Sequence, residues 1–360
     1  MNRKITRRTF LKTGTAAALG MAVAPKNIIA DEKGSPDAGM SQKKELRFHP
    51  NGEFKILQLT DMHYIAGNPE SQMSKKCYEE MVDAEKPDLV VITGDLIFGR
   101  PGDKSMKEVM EYVSGKGVPF AVTFGNHDHQ FGFTNEQLYD IISFTKNNIQ
   151  PDRGGRPSPD YALTIKSSNG DKTAAVLYCI DTHDGADPKS GGSVEGEEGY
   201  AWITSEQISW YKSQSNMFKK ENDGHAVPSI AFFHIPIPEY HSALEDSNFI
   251  GTRREYGGHP KLNSGFFTAM REQGDIMATF CGHDHDDDYS VYYHDILLSY
   301  GRYSGCNTVY NHLRNGARVI LLKEGERTFE SWIHIRGGEI KDRITFPDSF
   351  LNKDNVNGIE

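Results

Sequence analysis

Seven side chains suited to binding hard or borderline metal ions stand in order along the chain: Asp61, His63, Asp95, Asn126, His234, His283 and His285. His127 and Asp128 adjoin Asn126, and each group lies just past one of five short apolar runs, 54–60, 88–93, 120–124, 229–233 and 275–281. Singly these residues say little. An Asp after a strand commonly caps a helix or turn, and a His commonly packs in a core or sits at the surface. Jointly, two aspartates, one asparagine and four histidines are too many donors for one tetrahedral ion. Carboxylate, carboxamide and imidazole without thiolate suit Mn, Fe, Zn or Co rather than a soft metal. One carboxylate can bridge two such ions with its two oxygens. Two divalent ions, less two aspartates and a bridging hydroxide, leave a pocket of about +1 that favours a phosphate, and ions roughly 3.5–4 Å apart activate a shared water.

The elements that must position these residues are legible as well. The five runs, and a sixth over 174–180, are short, rich in β-branched and aromatic residues, and not strictly alternating, which predicts strands buried on both faces. Helical patterns fall between them, at about 70–86, 104–116, 135–147, 204–220 and 263–273. The alternation predicts an α/β fold with its site outside the carboxyl ends of the strands. After residue 285 the pattern turns to strands (289–293, 296–300, 318–323 and 329–335), which predicts a second sheet packed on the first. Gly185–Gly199 reads as a surface loop.

Composition removes several classes. The 360 residues are 37% hydrophobic and 25% charged, an ordinary globular balance. No apolar run reaches the ~18 residues of a membrane span. A formal charge of −10 gives no basic patch for nucleic acid. The four cysteines form no Cys-x-x-Cys pair. The N-terminus reads Thr6-Arg7-Arg8-Thr9-Phe10-Leu11-Lys12 before a mild Ala- and Gly-rich stretch, and it resembles a twin-arginine export signal. The expected organisation is a signal over 1–30, a polar linker over 31–52, one domain over 53–345 and a tail over 346–360. The signal implies engagement of the twin-arginine translocase and a periplasmic or secreted location.

Asp61-x-His63, Gly94-Asp95, Gly125-Asn126-His127-Asp128, His234 and Gly282-His283-x-His285 together resemble the five motifs of calcineurin-like metallophosphoesterases. Further segments, including 232–240, 263–267 and 300–302, are similar to a purple-acid-phosphatase-like and phosphoprotein-phosphatase-like subgroup of fungi and plants. The resemblance implies two mixed β-sheets packed as a sandwich and flanked by helices. It also implies two divalent metal ions: Asp61, His63 and His285 would hold one, Asn126, His234 and His283 the other, with Asp95 bridging. His127 would meet the substrate, oriented by Asp128. Purple acid phosphatases carry a tyrosine ligand three residues after the bridging Asp; this chain has Phe98 there, which predicts a divalent pair without purple colour. Arg100 and Arg302 are candidates for contacting a substrate phosphate. The expected activity is hydrolysis of a small phosphate monoester or a phosphoprotein by a metal-bridging hydroxide. A phosphodiesterase or nuclease on the same site, and a non-catalytic phosphate- or metal-binding protein, stand as alternatives.

Overall fold

Apolar runs without alternation need cover on both faces. The computed structural model, which describes residues 44–156, 159–189 and 191–351, supplies it with a second sheet on one side and helices on the other. In chain order the strands are β1 (Leu46–Arg47), β2 (Glu53–Leu59), β3 (Leu89–Thr93), β4 (Phe120–Thr123), β5 (Tyr161–Lys166), β6 (Thr173–Cys179), β7 (Ser229–Phe232), β8 (Phe249–Ile250), β9 (Ile276–Cys281), β10 (Ser290–Tyr293), β11 (Ile296–Tyr300), β12 (Gly316–Lys323), β13 (Phe329–Ile335) and β14 (Glu339–Phe346). The α-helices are α1 (Gln72–Glu85), α2 (Gly102–Gly115), α3 (Asn135–Ser143), α4 (Ser205–Glu221), α5 (Glu239–Asp246), α6 (Phe266–Gln273) and α7 (Asp348–Leu351). None of the described helices is long and apolar enough to cross a membrane.

One sheet runs β14-β13-β12-β2-β3-β4 and the other β1-β5-β6-β7-β9-β11-β10-β8. Side-chain alternation sorts each strand between two cores. Ile56, Val91 and Ala121 face Leu177, Ile230 and Ala278 across the sandwich. Their neighbours Leu57, Val90 and Val122 pack beneath α1, α2 and α3. On the far side, Val176, Tyr178 and Ala231 are covered by residues of α4 and α6. The helix starts follow local chemistry: Thr134 and Thr204 each form a capping box, with Gln137 and Gln207.

Three expectations need correction. The strands after residue 285 do not make a sheet of their own. β10 and β11 join the sheet of β6, β7 and β9, while β12 and β13 join that of β2, β3 and β4. Strand patterns report burial, not partners, so sequence order was a poor guide to sheet membership. The stretch read as linker contains β1, which pairs in parallel with β5, and Leu46 and Phe48 are buried; residues 31–43 and the twin-arginine segment lie outside the described residues. The tail assigned from 346 begins too early, because β14 ends at Phe346 and α7 follows, with Phe350 stacked on Tyr292.

A buried arginine fastens the two sheets together. Arg318 of β12 is 1% exposed. It donates Nε to the Tyr300 carbonyl at the end of β11 (2.6 Å), Nη2 to the Asp288 carbonyl (2.6 Å) and Nη1 to Ser331 Oγ (3.1 Å). Burial lowers its pKa to about 10, and the Asp288 carboxylate counters part of that effect. Arg318→Met strands two buried carbonyls and removes a charge that faces Asp288. The expected cost is about 3–5 kcal/mol, read as a lower urea midpoint at unchanged m-value. An unchanged midpoint would show that the guanidinium does not hold the sheets.

Candidate metal centre

The parallel strands of both sheets deliver their carboxyl ends to one place. Asp61, Asp95 and His283 each stand two residues past a strand, after β2, β3 and β9, as does His234 after β7; Asn126 follows β4. The ladders continue into these loops. Asp61 N donates to Gly94 O (3.1 Å), His63 N to Asp95 O (2.9 Å) and Gly282 N to His234 O (3.0 Å). Asp61, His63, Asp95 and His283 all have positive φ, at 54°, 45°, 51° and 81°. Non-glycine residues pay of order 1–3 kcal/mol each for such backbone, and it persists where the surroundings over-determine it. The motif glycines serve close approach. A Cβ at Gly125 would collide with Asp95 Oδ1, and one at Gly282 with Thr60 Oγ1.

Asp61 Oδ1 lies 3.6 Å from His285 Nε2 and 3.8 Å from His63 Nε2, and those two nitrogens are 3.0 Å apart. Asp95 Oδ2 lies 3.6 Å from His63 Nε2 on one side and 3.3 Å from His234 Nε2 on the other. His234 Nε2 is in turn 3.1 Å from Asn126 Oδ1 and 3.3 Å from His283 Nδ1. All of these side chains are buried. His285 Nδ1 faces the Tyr310 carbonyl (2.8 Å) and His234 Nδ1 the Thr93 carbonyl (2.8 Å). A carbonyl only accepts, so both Nδ1 atoms carry a proton and both rings turn Nε2, the atom that could ligate, toward the cluster. The inward-facing atoms are therefore mostly acceptors, and Asp61 Oδ1 has no hydrogen-bond partner among the described residues. A cation reconciles them. Asp61, His63 and His285 form one group that could hold an ion, and Asp61, Asp95 and His234 form another.

The electrostatics agree. Burial holds the His63 and His283 imidazoles well below their ordinary pKa, hence neutral and able to ligate. Burial pushes Asp95 up, but His234, His63 and His127 reverse this and leave it well below the usual carboxylate range. Burial would lower His234, yet Asp95 and Asp61 lift it to about 10, so without an ion a proton on Nε2 supplies the positive charge that an ion would bring. The two carboxylates thus draw positive charge into the cluster.

His127 lines the cleft above this cluster, its ring 5.6 Å from that of His63 and 5.0 Å from Phe98. The expectation that Asp128 orients it is corrected. The Asp128 carboxylate accepts four backbone N–H groups, from Asp95, Leu96, Ile97 and Gly125 (2.8–3.2 Å), and so braces the loops that carry Asp95 and Asn126. His127 Nδ1 instead meets Gln130 Oε1 at 2.9 Å. Sequence reading missed Gln130, which lies outside the Asn-His-Asp motif and carries no signal of its own. Arg302 is no substrate contact. It is 4% exposed, paired with Asp288 and bound to the Arg314 carbonyl. Arg100 is exposed, donates to the Gln130 carbonyl (3.4 Å) and is not among the cleft-lining residues. Phe98 sits edge-on to His63 at 5.0 Å, with no atom to offer a metal.

The cleft over the cluster has a volume of about 360 Å³, and its walls include Tyr200, Glu255, Tyr256 and Tyr310. No pattern in the sequence marked these four.

Comparison with known proteins places this geometry. The model of the calcineurin-like phosphoesterase family matches residues 54–287. An Arabidopsis thaliana protein named "Probable inactive purple acid phosphatase 29" is 32% identical over 74% of this chain and 76% of its own length. The yeast protein named Phosphatase DCR2, from Saccharomyces cerevisiae, is 29% identical over 67% of this chain and 45% of its own length. Among solved structures, a dimetal phosphatase from Danio rerio superposes with a TM-score of 0.55 at 12% identity, covering 81% of this chain and 98% of that one. With matching motifs, matching fold and a family model that spans most of its length, the chain belongs to the calcineurin-like phosphoesterases.

Proposed function

We propose that this protein is an active phosphomonoesterase with a dinuclear metal centre. The observation that carries the reading is the convergence of seven ligand side chains from both sheets beneath an imidazole whose ring is fixed from behind. In this reading Asp61, His63 and His285 hold one ion, Asn126, His234 and His283 the other, and Asp95, whose Oδ2 lies between the two sets, is shared. Ions bound there supply an activated water and positive charge for the phosphoryl oxygens.

The chain's own residues do the rest. Gln130 Nε2 donates to the Asn126 carbonyl (2.9 Å), so its Oε1 is the atom facing His127 and must accept. His127 Nδ1 therefore donates, and Nε2 is the atom that carries or releases a proton. When protonated, His127 stabilises the phosphoryl oxygens and gives its proton to the departing alkoxide. Three relatives bear names that call them inactive; in this chain every proposed ligand position and His127 are in place. The alternative of an inert binding protein is open to direct test.

Asp95→Asn removes one charge and one good oxygen from the shared position. We expect metal content measured by elemental analysis to fall, and hydrolysis of 4-nitrophenyl phosphate to drop at least about a hundredfold, beyond the 10–100-fold typical of losing an outer partner. Two retained ions and full rate would contradict a shared Asp95.

His127→Ala should keep its metals and lose more rate on an alkyl than on an aryl phosphate, since the alkoxide needs a proton in the transition state and the phenolate does not. General-acid help is typically worth about 10²–10⁴-fold, and the loss should concentrate on the alkyl ester. Equal losses on both substrates would reduce His127 to a positioning role.

Export by the twin-arginine route is proposed on the Arg7-Arg8 pair, the Phe10-Leu11 that follows and the mild Ala- and Gly-rich stretch after them. Lys at both positions should leave the protein in the cytoplasm at full length, as seen by fractionation and N-terminal sequencing. Normal export of that variant would refute the route.

A further inference from the structure

The metals of the proposed phosphomonoesterase account for the phosphate end of a substrate. The other end must meet the cleft wall, and that wall has an unusual charge balance. Among the described residues no lysine or arginine lines it, while Glu255 and Asp284 do, along with Tyr200, Tyr256 and Tyr310. A site for sugar bisphosphates, nucleotides or polyphosphates needs cations for the extra anionic groups, and this wall would repel them.

The wall is also held in place. Asp287 accepts the backbone N–H groups of Arg254 (2.6 Å) and Glu255 (3.0 Å), and both Asp284 oxygens accept from Gly258 N (3.0 Å). Asp288 accepts from Thr252 N (2.6 Å). The irregular segment 252–258 is thereby pinned to the turn that carries His283 and His285. Glu255 is fixed in turn, Oε1 by Asp286 N and Oε2 by the Tyr310 hydroxyl, each at 2.8 Å. Those two donors orient a carboxylate without neutralising it. Tyr310 stacks on His285 (4.5 Å, 24°) and Tyr200 stands edge-on to His283 (4.6 Å), which sets both rings against the metal cluster. Tyr256, 77% exposed, leans on His241 at 4.7 Å and leaves most of its ring open. Large aromatic rings and a carboxylate around one opening, with no lysine or arginine among the described residues that line it, attract an organic ammonium group.

We propose that the cleft selects phosphomonoesters whose leaving alcohol carries an ammonium group, held by Glu255 and the tyrosine rim of Tyr200, Tyr256 and Tyr310. This rests on the phosphomonoesterase reading of the same site. Such a substrate brings a dianion to the metal end and a cation to the acidic end, so the charge pattern of the cleft sets its orientation.

The test compares two esters of one shape on the metal-loaded full-length protein: phosphocholine, and 3,3-dimethylbutyl phosphate, in which carbon replaces the ammonium nitrogen. The measured quantity is the ratio of their kcat/KM values in the wild type, Glu255→Gln and Tyr256→Leu. Any difference in leaving-group basicity, or a general loss of rate, cancels when ratios are compared between enzymes. The wild type should favour phosphocholine, and the ratio should fall about three- to tenfold in each variant, the scale of one cation–π or ion contact. Tyr256 is largely exposed, so Tyr256→Leu examines the rim with little demand on folding. Ratios that match in all three enzymes overturn the inference while leaving phosphatase activity standing. If metal-loaded wild type fails to cleave even 4-nitrophenyl phosphate, the phosphomonoesterase reading fails instead. The same pair of esters is then compared by calorimetric binding, where equal affinities overturn the ammonium site.

Discussion

Groups of like polarity are forced together where water cannot separate them, and the rest of the structure answers to that constraint. Inside the cluster, carboxylate oxygens and imidazole nitrogens crowd one another at 3.0–3.8 Å. Left to themselves they would turn away. Backbone carbonyls at Thr93 and Tyr310 hold the outer nitrogens of His234 and His285, so neither ring can flip. The Asp128 carboxylate ties the loops after β3 and β4 through four main-chain donors. Left-handed backbone at four of the seven ligand positions aims side chains where an ordinary turn would not. The two sheets act as the frame against which these devices push.

Much of this was visible beforehand, for physical reasons that differ from element to element. β2, β3, β4, β7 and β9 were legible because a strand buried on both faces must be apolar throughout, and because polar ligands interrupt each run at its carboxyl end. α4 was legible from its helical pattern over 204–220, and the reciprocal bonds of Thr204 and Gln207 that start it are a local matter. The gathering of the candidate ligands in one place was legible because metal binding demands specific atoms, and those come from few residue types. The pairing of strands was not. β12 lies beside β2 although some 260 residues separate Gln58 from Arg318, and nothing in either strand's pattern names its partner. β5 and β14 escaped notice because alternating or mostly polar strands look like surface.

Errors at the site have a common origin. Asp128 and Arg302 are residues of the right type in the right motif, yet both are spent on the scaffold. A carboxylate that accepts four backbone N–H groups has no acceptor capacity to spare for an imidazole, and a guanidinium paired with Asp288 and the Arg314 carbonyl is closed to a substrate. Sequence fixes what a side chain can do but not which competing partner claims it. The acidic run at 284, 286, 287 and 288 makes the same point in reverse. These carboxylates are buried rather than solvated, three of them clip the one segment 252–258, at Gly258, Arg254 and Thr252, and the fourth clips His312.

The ligands come from both sheets. Asp61, His63, Asp95 and Asn126 follow strands of one sheet, and His234, His283 and His285 follow strands of the other. Each proposed ion would draw donors from both and so act as a rivet across the sandwich, at the same edge where Arg318 already spans it. Anything bound only by the folded form adds RT ln(1 + [L]/Kd) to its stability. The durability of this fold then becomes a property of its surroundings as much as of its sequence. With the proposed ions, a metal-rich medium would clamp the sandwich, and in a chelating one the same chain would rely on its buried arginine and its apolar cores.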